Sequence, residues 1–234
     1  MRRYFLFILL FVLLGYSCNR RTIRMEDFQV HGLDVSHYQS HINWQQVANQ
    51  NIHFAFVKAS EGASFNDTLF CDNWEGIKEA GMRRGAYHFF RPRVAVDEQI
   101  QNFSNRVDLE MGDLPPVLDV EVLDGVSKVD LITGIRSWLY TIEIKYGIRP
   151  IIYTNVKFYN KYLAGHFDEY PKWIARYNSR EPILACGKGW DFWQYGDNGK
   201  VQGVKGNVDF NVFSGSLADL DQLCLRPKPI ISIK

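Results

Sequence analysis

The sequence predicts an α/β fold: a modified TIM-like barrel of five βα units followed by about three irregular strands, (β/α)5β3. Three observations predict it. Between residues 31 and 163, short, nearly unbroken apolar runs alternate with segments of helical periodicity, the pattern of a parallel sheet covered by helices. The rhythm then changes, and three strand-like runs follow with no long helical pattern between them. Finally, 234 residues, 46% hydrophobic and 15% aromatic, suit one sizeable domain, and α/β barrels reach such lengths as single units.

The elements follow in order. His31-Gly32-Leu33-Asp34-Val35-Ser36 is a short strand with an acid near its C-terminal end. Asn43 can cap a brief helix whose apolar positions are Trp44 and Val47. His53 to Ser60 is a second strand, broken by Glu61-Gly62. Thr68 to Ala80 carries Trp74, Ile77 and Ala80 at helical spacing, and Gly81 stops it. Gly85 to Phe90 is a third strand, ended by Arg91-Pro92. Val96, Ile100, Phe103 and Val107 mark an amphipathic helix. The fourth strand lies in Leu114 to Val122. After it Ser127 can cap a long helix with Val129, Ile132, Ile135, Leu139 and Ile142 on one face, closed by Gly147. Pro150 opens a fifth strand, Ile151 to Thr154, and Val156 to Leu163 is a short helix. Residues 172–177, 191–195 and 206–211 are the three further strands.

The stretch Val117-Leu118-Asp119-Val120-Glu121 carries the clearest chemical signal. Residues i and i+2 of a strand point to the same side, about 6–7 Å apart along the chain. Two carboxyl groups that close disfavour double ionisation, so one tends to hold its proton. A protonated carboxyl beside an ionised one is the acid/base equipment of glycoside hydrolysis. Two solvated acids at a strand end, or a cation site, would show the same two residues. In a βα barrel the site lies at the carboxyl ends of the strands, where the loops converge. Asp34, Asp119, Glu121, Tyr153, Gln194 and Asp209 fall at or near such ends, and Trp173 and Tyr177 flank another. Four acids at one barrel rim are hard to explain by turn roles alone.

The first eighteen residues stand outside the fold. Met1-Arg2-Arg3 is a basic start, Tyr4 to Leu14 is almost wholly apolar, and Gly15-Tyr16-Ser17-Cys18 follows. The run is short for a spanning helix and has the layout of an export signal. Leu14 to Cys18 resembles a bacterial lipoprotein cleavage box, which makes Cys18 the expected lipidated N-terminus. The expected organisation is a signal peptide over 1–18, a polar tether over 19–30, the barrel over 31–225 and a loose tail over 226–234. The protein is then exported and held on a bacterial envelope membrane, or else periplasmic or secreted. Removing Arg2 and Arg3 leaves 25 basic residues against 26 acidic, and this balance offers nothing to nucleic acid. Cys71, Cys186 and Cys224 remain. Three cysteines allow one internal bridge, expected between Cys186 and Cys224, with Cys71 as a buried thiol. No spacing matches a zinc motif. No metal or cofactor and a monomeric state are expected.

Taken together, the motifs resemble glycoside hydrolase family 25, the lysozymes or N-acetylmuramidases. They are Gly-Leu-Asp34-Val-Ser-His-Tyr-Gln, Phe-Val-Lys58-Ala-Ser-Glu61-Gly, Gly-Ala-Tyr87-His-Phe-Phe, Asp119-Val-Glu121, Ile-Tyr153-Thr, Trp173-Ile-Ala-Arg-Tyr177, Trp193-Gln194-Tyr and Val-Asp209-Phe-Asn. The aspartate–X–glutamate pair alone is weak; the ordered set, spanning Gly32 to Phe213, is specific. The resemblance implies a barrel of five βα units and three further strands, and peptidoglycan glycan strands as substrate. It implies Glu121 as general acid, Asp119 as its partner carboxylate, and Asp34 and Asp209 as further site acids. Tyr87, Tyr153, Trp173, Tyr177 and Gln194 match positions lining the sugar groove. A chitinase-type hydrolase also carries aspartate–X–glutamate on its fourth strand, but Val117 stands where that pattern wants another aspartate. A catalytically silent glycan binder on the same scaffold is the other alternative.

Overall fold

The structure, a computed structural model, describes residues 25–227. The export signal, Cys18, half of the tether and most of the tail lie outside the described residues. Eight strands close into a barrel: β1 (Val30–Val35), β2 (Phe54–Glu61), β4 (Arg83–Phe89), β5 (Val117–Asp119), β6 (Ile151–Asn155), β7 (Lys172–Ala175), β8 (Phe192–Gly199) and β9 (Val208–Phe213). A two-residue strand, β3 (Phe65–Asn66), hooks back onto β2 outside the ring. Pairing is parallel from β1 through β8. Strand β9 runs antiparallel to both neighbours, β8 and β1, and closes the ring.

Each of the first five barrel strands leads into a helix: α1 (Trp44–Ala48), α2 (Phe70–Glu79), α3 (Val96–Ser104), α4 (Lys128–Tyr146) and α5 (Val156–Phe158), which continues into a π turn, Tyr159–Leu163. The (β/α)5 rhythm is therefore present, with β7, β8 and β9 as the three further strands. The loop from β8 to β9 is too short for the crossover that a parallel neighbour needs, so it turns back as a hairpin. Local signals set the helix ends. Asn43 accepts from the backbone of Gln46 at 3.1 Å. Ser127 accepts from Asp130 N at 3.1 Å. Gly147, at φ 71°, ends α4 in the left-handed region, which glycine enters without a Cβ clash.

Strand residues alternate between the barrel interior and the helical layer. Ala55, Val57, Ala86, Leu118, Ile152, Ile174, Trp193 and Val212 pack outward against the helices. Phe54, Phe56, Val117, Ile151, Tyr153, Trp173, Phe192 and Phe213 pack inward. The rings of Phe54, Phe56 and Phe192 meet edge to face with centroids 5.2–5.6 Å apart, and Phe56 stacks on Trp173 at 4.3 Å. Glycines make the room: a Cβ on Gly32 would lie 2.4 Å from the Phe54 ring, and one on Gly85 would lie 2.6 Å from Phe56.

Several expectations need correction. Cys186 and Cys224 form no bridge; the three described cysteines are free, and Cys71 is exposed rather than buried. Phe70, Trp74 and Ile77 take the inner face of α2, and Cys71 lies one step around the helix from Phe70. Val129 is 73% exposed. Six residues at about 100° each turn it about 120° away from Ile135, and the buried face of α4 is Leu131, Ile132, Ile135, Trp138, Leu139 and Ile142. Strand four is shorter than its apolar run, so Glu121 stands just past the end of β5. Packing begins before residue 31: Phe28 meets Trp190 and Trp193, and Val30 is buried in β1. A last helix, α6 (Leu217–Leu223), was not expected. Ser216 and Asp219 form its capping box, a signal present in the sequence. Its Leu220 and the following Cys224 pack with the inward residues of β1 and β9.

Candidate active site

The inward rows explain which residues meet. On β2 the row Phe54, Phe56 ends at Lys58; on β1, Val30 and Gly32 end at Asp34; on β5, Val117 and Asp119 lead to Glu121. On β6 Ile151 leads to Tyr153, on β7 Trp173 and Ala175 lead to Tyr177, and on β8 Phe192 leads to Gln194. Strand β9 is reversed, so its inward row reads Phe213, Asn211, Asp209 towards the same rim, and Asp209 stands opposite Asp34 in register. A strand of the other direction thus delivers an acid from its N-terminal end to the mouth formed by seven C-terminal ends.

A cavity of about 300 Å³ opens there. All nine residues expected at the site line it: Asp34, Asp119, Glu121, Asp209, Tyr87, Tyr153, Trp173, Tyr177 and Gln194. Their exposures differ. Trp173 is 2% exposed and packs against Phe56 and Tyr153, so it forms the floor rather than an open stacking face. Tyr177, 52% exposed, stands at the rim. Lys58, Ser36, Tyr38, Gln39, Val35 and Phe89 also line the cavity. The sequence reading gave them no role, although the inward parity of 54, 56 and 58 points to Lys58. Ser36 and Gln39 form a reciprocal cap on the turn after β1, which presents Tyr38 at the rim, 81% exposed.

A hydrogen-bond network holds two carboxyl pairs. Gln194 is its hub. Its Oε1 accepts from Tyr153 Oη at 2.7 Å and Tyr177 Oη at 3.0 Å. Its Nε2 donates to Asp34 Oδ2 at 2.8 Å and Asp209 Oδ2 at 3.4 Å. Asn211, also missed from sequence, donates to Asp34 Oδ2 at 2.8 Å and accepts from Trp173 Nε1 at 2.7 Å. The carboxyls of Asp34 and Asp209 are themselves in hydrogen-bond contact. Burial and the Asp209 charge push Asp34 well up, against the amides of Asn211 and Gln194.

Asp119 and Glu121 form the second pair, their carboxyls also in hydrogen-bond contact. Burial pushes Asp119 well up, and the Glu121 charge adds to it. Glu121 is raised too, first by its burial and then by Asp209, against the pull of the Asp119 contact and Lys58. Two touching carboxyls hold one proton between them over a wide pH range. Asp119 Oδ1 is buried and has no hydrogen-bond partner, an acceptor that costs stability unless something donates to it. Lys58 supplies the cavity's one ammonium. Its Nζ donates to Glu61 Oε2 at 2.6 Å, and Glu61 Oε1 accepts from Arg91 at 2.6 and 2.9 Å. Burial favours a neutral Glu61, but Lys58 and Arg91 outweigh it and hold its carboxyl below the usual range. No group of three or more His, Cys, Asp and Glu suited to a metal ion occurs among the described residues.

Comparison with known proteins agrees with this geometry. The family "Glycosyl hydrolases family 25" matches residues 33–204. The chain is 43% identical over 198 residues to "Uncharacterized protein YegX" of Escherichia coli (strain K12), covering 82% of this chain and 72% of that one. It is 35% identical over 226 residues to "Lysozyme M1" of Streptomyces globisporus, covering 88% and 76%. The fold superposes on the structure of a family 25 glycosyl hydrolase from Bacillus anthracis with TM-score 0.82 and 31% identity, over 89% of this chain and 100% of that one. With the barrel, its reversed last strand and the family match across most of the ring, this chain belongs to glycosyl hydrolases family 25 and is a glycoside hydrolase.

Proposed function

We propose that the protein is a muramidase that hydrolyses the β-1,4 bond between N-acetylmuramic acid and N-acetylglucosamine in peptidoglycan. Relatives carry such names: besides the Streptomyces lysozyme, an N,O-diacetylmuramidase of Arthroderma benhamiae is 27% identical over 209 residues. The observation that carries the reading is the contact between Asp119 and Glu121 at the cavity, with both carboxyls raised. That contact supports one chemistry over two others. Direct attack on the sugar wants carboxyls about 5–5.5 Å apart, and an inverting water wants about 6.5–9.5 Å. A hydrogen-bond contact between the two carboxyls favours neither spacing. The substrate's own 2-acetamido group then serves as nucleophile.

In this route Glu121 gives its proton to the glycosidic oxygen as that bond to the anomeric carbon breaks. The acetamido carbonyl oxygen bonds to the same carbon and forms a cyclic oxazolinium ion. Asp119 Oδ1, without a partner in the free protein, accepts the acetamido N–H, and the Asp119 charge balances the cation. A water then loses a proton to the Glu121 carboxylate, attacks the anomeric carbon from the face the leaving group vacated, and reopens the ring. Configuration is retained. The Asp34–Asp209 pair and its amides hold the surrounding charge pattern.

Digestion of purified peptidoglycan by the wild type and by Glu121→Gln tests the reading, with mass spectrometry of the fragments and NMR of the first-formed anomer. The wild type should release reducing-end muramic acid in the β-anomer, and Glu121→Gln should be slower by about 10²–10⁴-fold. Equal rates would remove Glu121 from the mechanism. An initially inverted anomer would remove the acetamido route. No digestion by either protein would favour a silent binder, and reducing-end glucosamine would change the bond assignment.

A further inference from the structure

A second cavity, of about 670 Å³, adjoins the first and shares Glu121 and Tyr177 with it. Its other walls come from the ends of β6 and β7 and the turn into α5. The two cavities differ in charge. Four carboxyl groups and one ammonium line the first. The second brings in Lys157 and Arg176 and has no acid except the shared Glu121. Arg176 is held firmly by neutral groups. Its backbone N donates to Gln194 O at 2.9 Å, its carbonyl accepts from Trp193 Nε1 at 2.9 Å, and its Nη1 donates to Glu181 O at 2.8 Å. Among the described residues neither Arg176 nor Lys157 has a carboxylate within ion-pair distance. A guanidinium oriented by a carbonyl keeps its whole charge for a ligand, and its planar fork suits an oxyanion.

The geometry points to a cationic subsite, just beyond Glu121, that binds a carboxylate carried by the glycan strand. The identity of the polymer rests on the muramidase reading; the subsite narrows it to strands that bear negative substituents. Lys157 and Arg176 give such strands an attraction that an uncharged hexosamine polymer lacks. The pocket also explains why a site crowded with acids can accept an anionic polymer: three of the four carboxyls line the first cavity alone, and Lys157 and Arg176 line its neighbour. Two sources of carboxylate exist on a muramic acid residue, the lactyl group itself and the stem peptide joined to it. Both present the same chemistry to the fork.

The test measures Kd by calorimetry with the Asp119→Asn protein, whose substitution lies outside the second cavity. Three tetrasaccharides of alternating N-acetylglucosamine and N-acetylmuramic acid serve as probes: free lactyl carboxylates, neutral lactyl methylamides, and stem peptides. A carboxylate-bearing strand should bind about tenfold more tightly than the methylamide, the scale of one charge-assisted hydrogen bond. The advantage should shrink in added salt and vanish on adding Lys157→Gln and Arg176→Gln together. Lys157→Gln alone, a change on an exposed side chain, should narrow it if the double variant fails to fold. Lys145→Gln, an equal loss of charge near the far end of α4, should leave it intact. Tighter binding of the lactyl form assigns that carboxylate as the ligand; a gain confined to the peptide form assigns the stem. Equal affinity for neutral and charged strands, or an advantage that survives the double variant, overturns the inference. Failure of the muramidase reading would show separately, as all three strands left uncut by the wild type.

Discussion

Asp119 lies deeper than Glu121, and this difference decides how the pair titrates. Both carboxyls are raised by burial, Asp119 further because Glu121 adds its charge. Burial and the Glu121 charge therefore favour the proton on the Asp119 side of the contact, whereas the proposed leaving-group protonation needs it on Glu121. On the proposed route the substrate amide N–H would favour an ionised Asp119, and binding would then move the proton to Glu121. Activity then requires one proton on the pair. As pH falls, the second carboxyl protonates and activity drops; as pH rises, the shared proton leaves and activity drops again. Raised carboxyls place the basic limb above the usual carboxylate range near 4. Asp119→Asn leaves Glu121 as the one carboxyl of the pair, so the pair's upper titration step, which rests on the further-raised Asp119, should disappear. The basic limb of the residual activity should move towards acid, together with a fall in kcat. A pH–rate profile of the variant checks this, and an unmoved limb would sever the coupling.

Strand alternation builds the site into the barrel. The inward rows work as tapered columns, with rings at the bottom and polar ends at the top. Gly32 and Gly85 exist on the inward face because Phe54 and Phe56 occupy the space a side chain would take. Gly32→Ala should cost about 1–3 kcal/mol through overpacking, read as a lower midpoint in thermal or urea unfolding. Since Asp34 is the next inward residue on β1, activity should fall as well, beyond what partial unfolding explains at low temperature. Helix α4 shows the converse case, in which local signals sufficed. Ser127 and Gly147 were legible as its ends, and the structure uses both. Val129 misled because its side chain fits an apolar tally while its angular position does not.

Across the whole molecule, closure of the ring is what makes a site. Asp34 and Asp209 are far apart in the chain, yet they face each other because β9 seals β1 to β8. No helix among the described residues is long and apolar enough to cross a membrane. The attachment to a membrane expected from the sequence is a lipid on Cys18, whose signal lies in Met1 to Cys18. Expressed in a bacterium that processes lipoproteins, the full chain should label with palmitate and sediment with membranes. Cys18→Ser should lose both properties yet keep its activity on dissolved glycan strands. Labelling that persists in the variant would rule out Cys18 as the anchor.

The sequence by itself determined the order of the elements, the change of rhythm after the fifth unit and, through the family resemblance of its motifs, the nine residues that line the cavity. Period-two and helical patterns are local, and the acids sit in local motifs, so one dimension was enough. Only the tertiary structure decided the rest. It joined the four acids into two touching pairs, set Gln194 as the bridge between phenols and carboxylates, and turned Trp173 into floor. It also kept Cys186 and Cys224 apart and placed Lys157 and Arg176 beside Glu121. The physical reason is common to all of these. Each depends on distances between residues remote in the chain, which closure of the sheet fixes and which local pattern does not encode.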